Sequence, residues 1–92
     1  MNLPRSLREE KEFYEARIAA EKKYERGESM WIGWAWRLAR DPEANASVVP
    51  GTNPPLYMVK TADHSEDKAF PVTTFYYRFD DQYVDLVRMK IR

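Results

Sequence analysis

Basic and apolar side chains alternate at the end of this chain, where Arg88, Lys90 and Arg92 stand two residues apart. Alternation with period two is typical of a strand that buries one face, so the three cations would share the other face. Tyr76 and Arg78 precede them with the same spacing. Cations bind RNA phosphates and an aromatic ring stacks on bases, so the pattern indicates a surface for RNA. The alternative is a sheet face kept soluble by charge.

A second group with chemical potential surrounds the single histidine, His64, in "TADHSEDK". Its ordinary pKa lies near neutrality, so His64 could act as a general acid or base in cleavage through the 2′-hydroxyl of RNA. Lys60, Lys68 and Arg78 could stabilise the phosphate charge. The acidic residues of the same segment would repel that phosphate, which favours the alternative of a surface loop. The catalytic candidates are Lys60, His64, Arg78 and Arg88, and the further nucleic-acid-binding candidates are Tyr76, Lys68, Lys90 and Arg92.

The composition limits the classes of protein and site. Ninety-two residues, 43% of them hydrophobic and 14% aromatic, fit one folded domain spanning 1–92. Fifteen basic and fifteen acidic residues cancel, so attraction to nucleic acid must come from a local patch. The absence of cysteine excludes disulfides and thiolate metal sites, and one histidine excludes a multi-histidine site. We therefore expect neither a metal nor a cofactor.

The first residues, "MNLPRSLREEKEF", lack the apolar run of a signal peptide. The sequence has no stretch of about 18 apolar residues that would predict a membrane-spanning helix. These observations favour a cytoplasmic protein that does not enter the membrane.

Two helices are predicted in the first half of the chain, over residues 4–26 and 29–40. The first is rich in Glu, Lys and Arg, and Gly27 would end it. Ser29 would cap the second, whose apolar face carries Trp31, Trp34 and Leu38. This tryptophan stripe is either core or a surface for stacking a ligand, whereas Ile32 and Trp36 point more to the side.

Strands are predicted over residues 56–62, 70–79 and 83–92, after a loop at 42–55 that is rich in Pro, Gly and Asn. The predicted fold class is α+β, with two N-terminal helices packed on a small antiparallel sheet of about three strands.

The closing hairpin has two alternative registers, which place opposite faces inward. A two-residue turn at Asp80-Asp81 would leave the apolar residues of the last strand on the face of Arg78. A three-residue turn over 80–82 separates aromatic rings from cations more cleanly, so we predict it. Val84 and Leu86 then lie on the outward face with the cations. The predicted cross-strand pairs are Phe79 with Tyr83, Tyr77 with Asp85, and Phe75 with Val87.

This layout, with "LYMVKT" followed by "FYYRFDDQYVDLVRM", resembles the RelE/ParE superfamily of bacterial toxin–antitoxin toxins. That family shows a strand of the type Y-x-[IV]-K, a tyrosine-containing strand, an acidic turn and a valine-rich last strand. Lys60 matches the strand lysine of the family. An arginine expected early in the next strand falls at about Thr74, and the family's strand before the helices has no counterpart among the predicted elements.

The resemblance implies a toxin-type protein that acts on RNA or translation. RelE-like members are endoribonucleases that cut messenger RNA in the ribosomal A site, and ParE-like members poison DNA gyrase. In the nucleases, basic residues stand in for the classical acid–base pair: lysines and arginines stabilise the phosphate charge, and a lysine, tyrosine or histidine moves the proton. The implied activity is a metal-independent endoribonuclease. The implied partners are RNA, the ribosome and an antitoxin that covers the basic surface.

Two readings from other classes stay open. The chain could be a non-catalytic adaptor or inhibitor that docks on a protein partner through its charged first helix or its tryptophan helix. It could also form a homodimer through the tryptophan helix.

Overall fold

The structure, a computed structural model, describes residues 4–61 and 72–91 of the chain. These residues form two helices and one five-stranded sheet, so the fold is α+β. The elements are β1 (Ser6–Glu9), α1 (Lys11–Lys23), α2 (Gly27–Arg40), β2 (Ser47–Val48), β3 (Tyr57–Lys60), β4 (Thr73–Phe79) and β5 (Tyr83–Ile91). Across the sheet the order is β1-β5-β4-β3-β2, with β1 parallel to β5 and the other neighbours antiparallel. The sheet is therefore mixed, and the expected three antiparallel strands are an undercount.

The segment predicted to begin the first helix forms strand β1 instead. Its backbone bonds to β5 and the preceding turn: the Ser6 N–H donates to the Gln82 carbonyl at 2.9 Å, and the Glu10 N–H donates to the Leu86 carbonyl at 2.9 Å. Leu, Arg and Glu favour helices by only a few tenths of a kcal/mol, so tertiary pairing outweighs this propensity. The first helix consequently spans Lys11–Lys23 rather than 4–26.

Gly27 does not end the first helix, which stops at Lys23. It is the first residue of α2, and the two helices approach each other closely there. A Cβ at Gly27 would lie 2.7 Å from the Ala20 carbonyl oxygen and 2.9 Å from the Glu21 Cα. Real Cβ atoms do not occur at such distances, so this position requires glycine. The predicted start at Ser29 is therefore wrong, and no side chain caps α2.

The tryptophan stripe of α2 is core. Trp31 is buried, and its ring lies 5.2 Å from that of Phe13 on α1 and 5.8 Å from that of Phe75 on β4. The Trp34 ring lies 5.3 Å from the Phe75 ring. These contacts hold both helices on one face of the sheet. Trp36, on the other side of α2, is 61% exposed.

Asp80 organises the turn between β4 and β5. The Asp80 carboxylate accepts hydrogen bonds from the N–H groups of Gln82 at 2.7 Å and Tyr83 at 2.8 Å. The Asp80 N–H donates to the Tyr83 carbonyl at 3.0 Å, which closes a turn over 80–83. The residues between the two strands are 80–82, as predicted, but the predicted cross-strand pairs are wrong. The observed pairs are Phe79 with Val84, Tyr77 with Leu86, and Phe75 with Met89.

A β-bulge at Val87 interrupts β5. Tyr77 pairs with Leu86 and Tyr76 pairs with Arg88, so Val87 is the extra residue between the two pairs. The bulge shifts the inward–outward alternation of the strand by one residue. Even-numbered residues therefore face the helices before the bulge, and odd-numbered residues face them after it.

The bulge explains why only part of the predicted face assignment is correct. Before it, Val84 and Leu86 are fully buried against the helices, whereas the sequence placed them outward. After it, Met89 is buried while Arg88 and Lys90 are exposed, as predicted. The predicted register was wrong by one residue, and the bulge shifts β5 by one residue after Leu86. Arg88 and Lys90 therefore face outward, as predicted, although the register before the bulge was wrong.

Candidate nucleic-acid interface

The sheet face that turns away from α1 and α2 carries most of the predicted site. We call the residues Lys60, Tyr76, Arg78, Arg88 and Lys90 the basic face. They come from β3, β4 and β5, the three central strands of the sheet. Their neighbours in each strand, such as Val59, Tyr77 and Met89, are buried on the helix side. Period-two alternation therefore sends the members of the basic face outward.

Cross-strand pairing arranges the basic face in rows. One row runs from Lys60 on β3 through Thr74 on β4 to Lys90 on β5. Strands lie about 4.8 Å apart, so the Cα atoms of the two lysines are roughly 10 Å from each other. The next row places Tyr76 between Met58 and Arg88. Tyr76 thus lies beside Arg88 in its own row and next to the row that contains Lys60 and Lys90.

A third row was missed by the sequence interpretation because it includes β1. Asp85 on β5 pairs with Arg78 on β4 and with Arg8 on β1. The Arg8 guanidinium donates two bonds to the Asp85 carboxylate, at 2.6 and 3.1 Å, and lies 3.9 Å from the Tyr83 ring centroid. The Asp85 carboxylate raises the pKa of Arg8. The sequence analysis assigned "SLRE" to a helix and therefore did not predict this ion pair. Strand-like alternation of side chains within the segment could have indicated it.

The remaining cations differ in how they are held. Arg78 is half-buried, and its Nε lies 3.4 Å from the Pro54 carbonyl, a weak bond that orients it toward the loop before β3. Lys60, Arg88 and Lys90 are exposed. No carboxylate within residues 4–61 and 72–91 forms an ion pair with these three side chains. Their charge is available to a ligand.

Three predicted site residues lie outside the described part of the chain: His64, Lys68 and Arg92. Of the catalytic candidates, the structure therefore brings Lys60, Arg78 and Arg88 to one face. Of the binding candidates, it adds Tyr76 and Lys90 to the same face.

Within residues 4–61 and 72–91, no group of three or more histidine or carboxylate side chains could hold a metal ion. No helix in the same ranges combines the length and apolar character needed to cross a bilayer.

No protein-family model, curated protein or solved structure matches this chain. The function is therefore inferred from the residues and geometry of the molecule itself.

Proposed function

We propose that this protein is a RelE/ParE-like, toxin-type protein that acts on RNA, and that the basic face holds the RNA. The observation that carries the proposal is the set of exposed cations Lys60, Arg88 and Lys90 around Tyr76, none of them paired with a carboxylate of the described residues. Asp85, a carboxylate on the same side of the sheet, is already bonded to Arg8, so it leaves these three cations unpaired.

The geometry suits a single strand of RNA better than a duplex. Tyr76 is half-buried on the outward side of the sheet and pairs with Met58 on one neighbouring strand and Arg88 on the other. A base can stack on the Tyr76 ring, while the flanking phosphates reach Arg88 and the lysines of the neighbouring row. Arg78 lies one position further along β4 than the buried Tyr77 and extends the cationic surface toward the turn.

Two structural findings bring the chain nearer to the RelE/ParE pattern than the sequence interpretation did. A strand, β1, does precede the helices. Thr74, at the position of the family's arginine, lies between Lys60 and Lys90 in one row. The neighbouring strands can therefore supply the positive charge that the residue itself lacks.

Cleavage of the bound RNA would proceed by attack of the 2′-hydroxyl on the adjacent phosphorus, with loss of the 5′-oxygen. Lys60, Arg78 and Arg88 are the side chains that would stabilise the negative charge of the phosphorane. Cleavage also needs a general acid and a general base within hydrogen-bond distance of the reacting oxygens. His64 remains the residue that we propose for one of these two roles. An antitoxin-like protein would inhibit this action by covering the same cations with carboxylates.

The test measures binding of a fluorescein-labelled single-stranded RNA by anisotropy over a series of salt concentrations. The test variant is Lys60→Gln/Arg88→Gln/Lys90→Gln, and the matched control is Lys11→Gln/Lys22→Gln/Lys23→Gln on α1, which removes the same charge. We expect the test variant to bind about tenfold or more weakly, with the slope of log K against log salt reduced by about 0.7 per lost contact. The control should bind almost as the wild type does.

Equal weakening in both triple variants would show attraction by overall charge and would contradict the proposal. Cleavage is measured separately, by incubating messenger RNA in a translation reaction with wild type, Arg78→Ala and Arg88→Ala. Specific cuts by the wild type that both variants lose are expected. Cuts that persist unchanged in both would exclude these arginines from the reaction.

A further inference from the structure

The outward side of α2 carries a short row of residues spaced four apart: Glu28, Ile32, Trp36 and Arg40, which we call the α2 row. All four are exposed, with Ile32 at 60% and Trp36 at 61% of their surface accessible. Positions four apart form a continuous ridge on a helix. Two large apolar side chains side by side on such a ridge are unusual for a helix that faces only water.

Gly33 makes this side of α2 a possible helix-packing surface. It lies next to the ridge, is exposed, and a Cβ built on it would meet no atom within 4 Å. Helices pack by fitting the ridge of one into the groove of the other, and a glycine beside the ridge deepens that groove. The core contacts of α2 do not use Gly33.

The charges of the α2 row are complementary to a reversed copy of themselves. The row begins with the acidic Glu28 and ends with the basic Arg40, and no ion pair of the described residues occupies either. When two rows run antiparallel about a two-fold axis near position 34, Glu28 faces the second chain's Arg40. The same axis places Ile32 opposite the second chain's Trp36. One arrangement therefore satisfies both the charged and the apolar pairs.

We propose that the α2 row is a homodimer interface whose occupant is the α2 row of a second copy of this chain. The Arg40 guanidinium already lies 4.2 Å from the Trp36 ring centroid, so it is held beside the apolar pair where a second chain's Glu28 would arrive. One helix from each chain covers less than the ~800 Å² per partner of a standard interface, so the dimer should be weak, with a Kd in the micromolar range. The proposal does not depend on RNA binding, because α2 packs on the sheet face opposite the basic face.

Sedimentation velocity tests the proposal on the full chain from about 1 to about 500 µM, a range that spans a micromolar Kd. The wild type should shift with concentration from the 11.0 kDa monomer toward twice that mass. Glu28→Arg and Arg40→Glu each bring like charges together twice, and each should raise the dimer Kd about tenfold or more. An equimolar mixture of these two variants should recover dimers, since every facing pair is then of opposite sign.

Gly33→Leu separates the interface from folding. Leucine favours a helix more than glycine does and meets no neighbour within the chain, so the monomer should be at least as stable while the groove is filled. Its dimer Kd should rise about tenfold. Glu43→Arg, a reversal at an exposed residue outside α2, is the control and should dimerise like the wild type.

A wild type that stays at 11.0 kDa at every concentration would overturn the proposal. Binding of a different protein to the α2 row, without self-association, would overturn it as well. Dimers that form equally in all variants would place the contact elsewhere and would also overturn it. Failure of the two reversed variants to recover dimers when mixed would exclude the antiparallel register.

Discussion

At the scale of single residues, Tyr77 shows how one side chain joins separate parts of the fold. It lies on β4, the middle strand of the sheet, and is fully buried. Its hydroxyl donates to the carbonyl of Pro42, which fixes the start of the loop after α2 against the sheet. That loop leads into β2, which pairs with β3, the strand that carries Lys60. Tyr77 therefore helps to position one strand of the basic face, although its own side chain lies on the opposite side of the sheet.

Replacing Tyr77 with phenylalanine should lower the free energy of unfolding by about 1–2 kcal/mol, because the Pro42 carbonyl loses its buried donor. Burial also raises the pKa of Tyr77 from 10.0 to about 12. The unfolded chain therefore loses this proton first, and the stability that Tyr77 contributes is present below pH 10 and lost between pH 10 and 12.

Urea unfolding of wild type and Tyr77→Phe at neutral and alkaline pH measures both effects. The difference between the two proteins should shrink as the pH rises from 10 to 12. Tyr14→Phe is the control, because Tyr14 is half-exposed and should change stability little. A constant difference across this pH range would contradict the assigned role.

At the scale of elements, β1 is attached to α1 by an ion-pair cluster on the helix side of the sheet. The Arg17 guanidinium donates to Glu9 at 2.6 and 2.9 Å and to Glu21 at 2.8 Å. The three side chains are only 14%, 23% and 21% exposed. Both carboxylates raise the pKa of Arg17, so the guanidinium stays charged at any pH at which the protein folds.

Arg17→Met should lower the free energy of unfolding by roughly 1–3 kcal/mol, because it leaves two partly buried carboxylates close together without a cation. Arg8→Met is a matched comparison, since it removes the other arginine that ties β1 to its neighbours. The Arg8 side chain is 55% exposed, so its ion pair with Asp85 should contribute much less. Chemical denaturation of both variants decides the matter, and equal losses would show that burial does not distinguish the two pairs.

The bulge in β5 gives a prediction about register. Deleting Val87 should leave a regular ladder in which Leu86 and Met89 still face the core and Arg88 still faces out. Deleting Met89 instead should force either Arg88 or Lys90 inward, whichever way the strand re-pairs.

Thermal unfolding followed by circular dichroism measures the result. We expect the Val87 deletion to keep a cooperative transition within several degrees of the wild type, and the Met89 deletion to lose it. Loss of folding in both deletions would show that the bulge itself is required, for instance for the twist of the hairpin.

These elements also show how far the sequence could be interpreted. Local signals gave two helices, the tryptophan core and the outward charge of Arg88 and Lys90. They could not give β1, because its hydrogen-bond partners lie more than seventy residues away in β5. They could not give the bulge at Val87 or the observed cross-strand pairs either, because both depend on how β5 pairs with β4 in the folded chain.

At the scale of the whole molecule, the fold separates its functions by layer. The sheet presents the basic face on one side, and the helices present the α2 row on the other. A net charge of zero does not reveal this separation, because residues 4–43 contain nine cations and nine carboxylates, and residues 60–92 contain six of each. Composition alone therefore could not locate the candidate site, whereas alternation along β4 and β5 could.

The pairing of β1 with β5 has a consequence for synthesis. Residues 6–9 leave the ribosome before residues 83–86, to which they bond. During translation the nascent segment 6–9 therefore has no strand to join at first, and closure of a loop of more than seventy residues must precede completion of the sheet. A product terminated before β5 would lack both this strand and two cations of the basic face, so incomplete chains should be neither stably folded nor able to bind RNA.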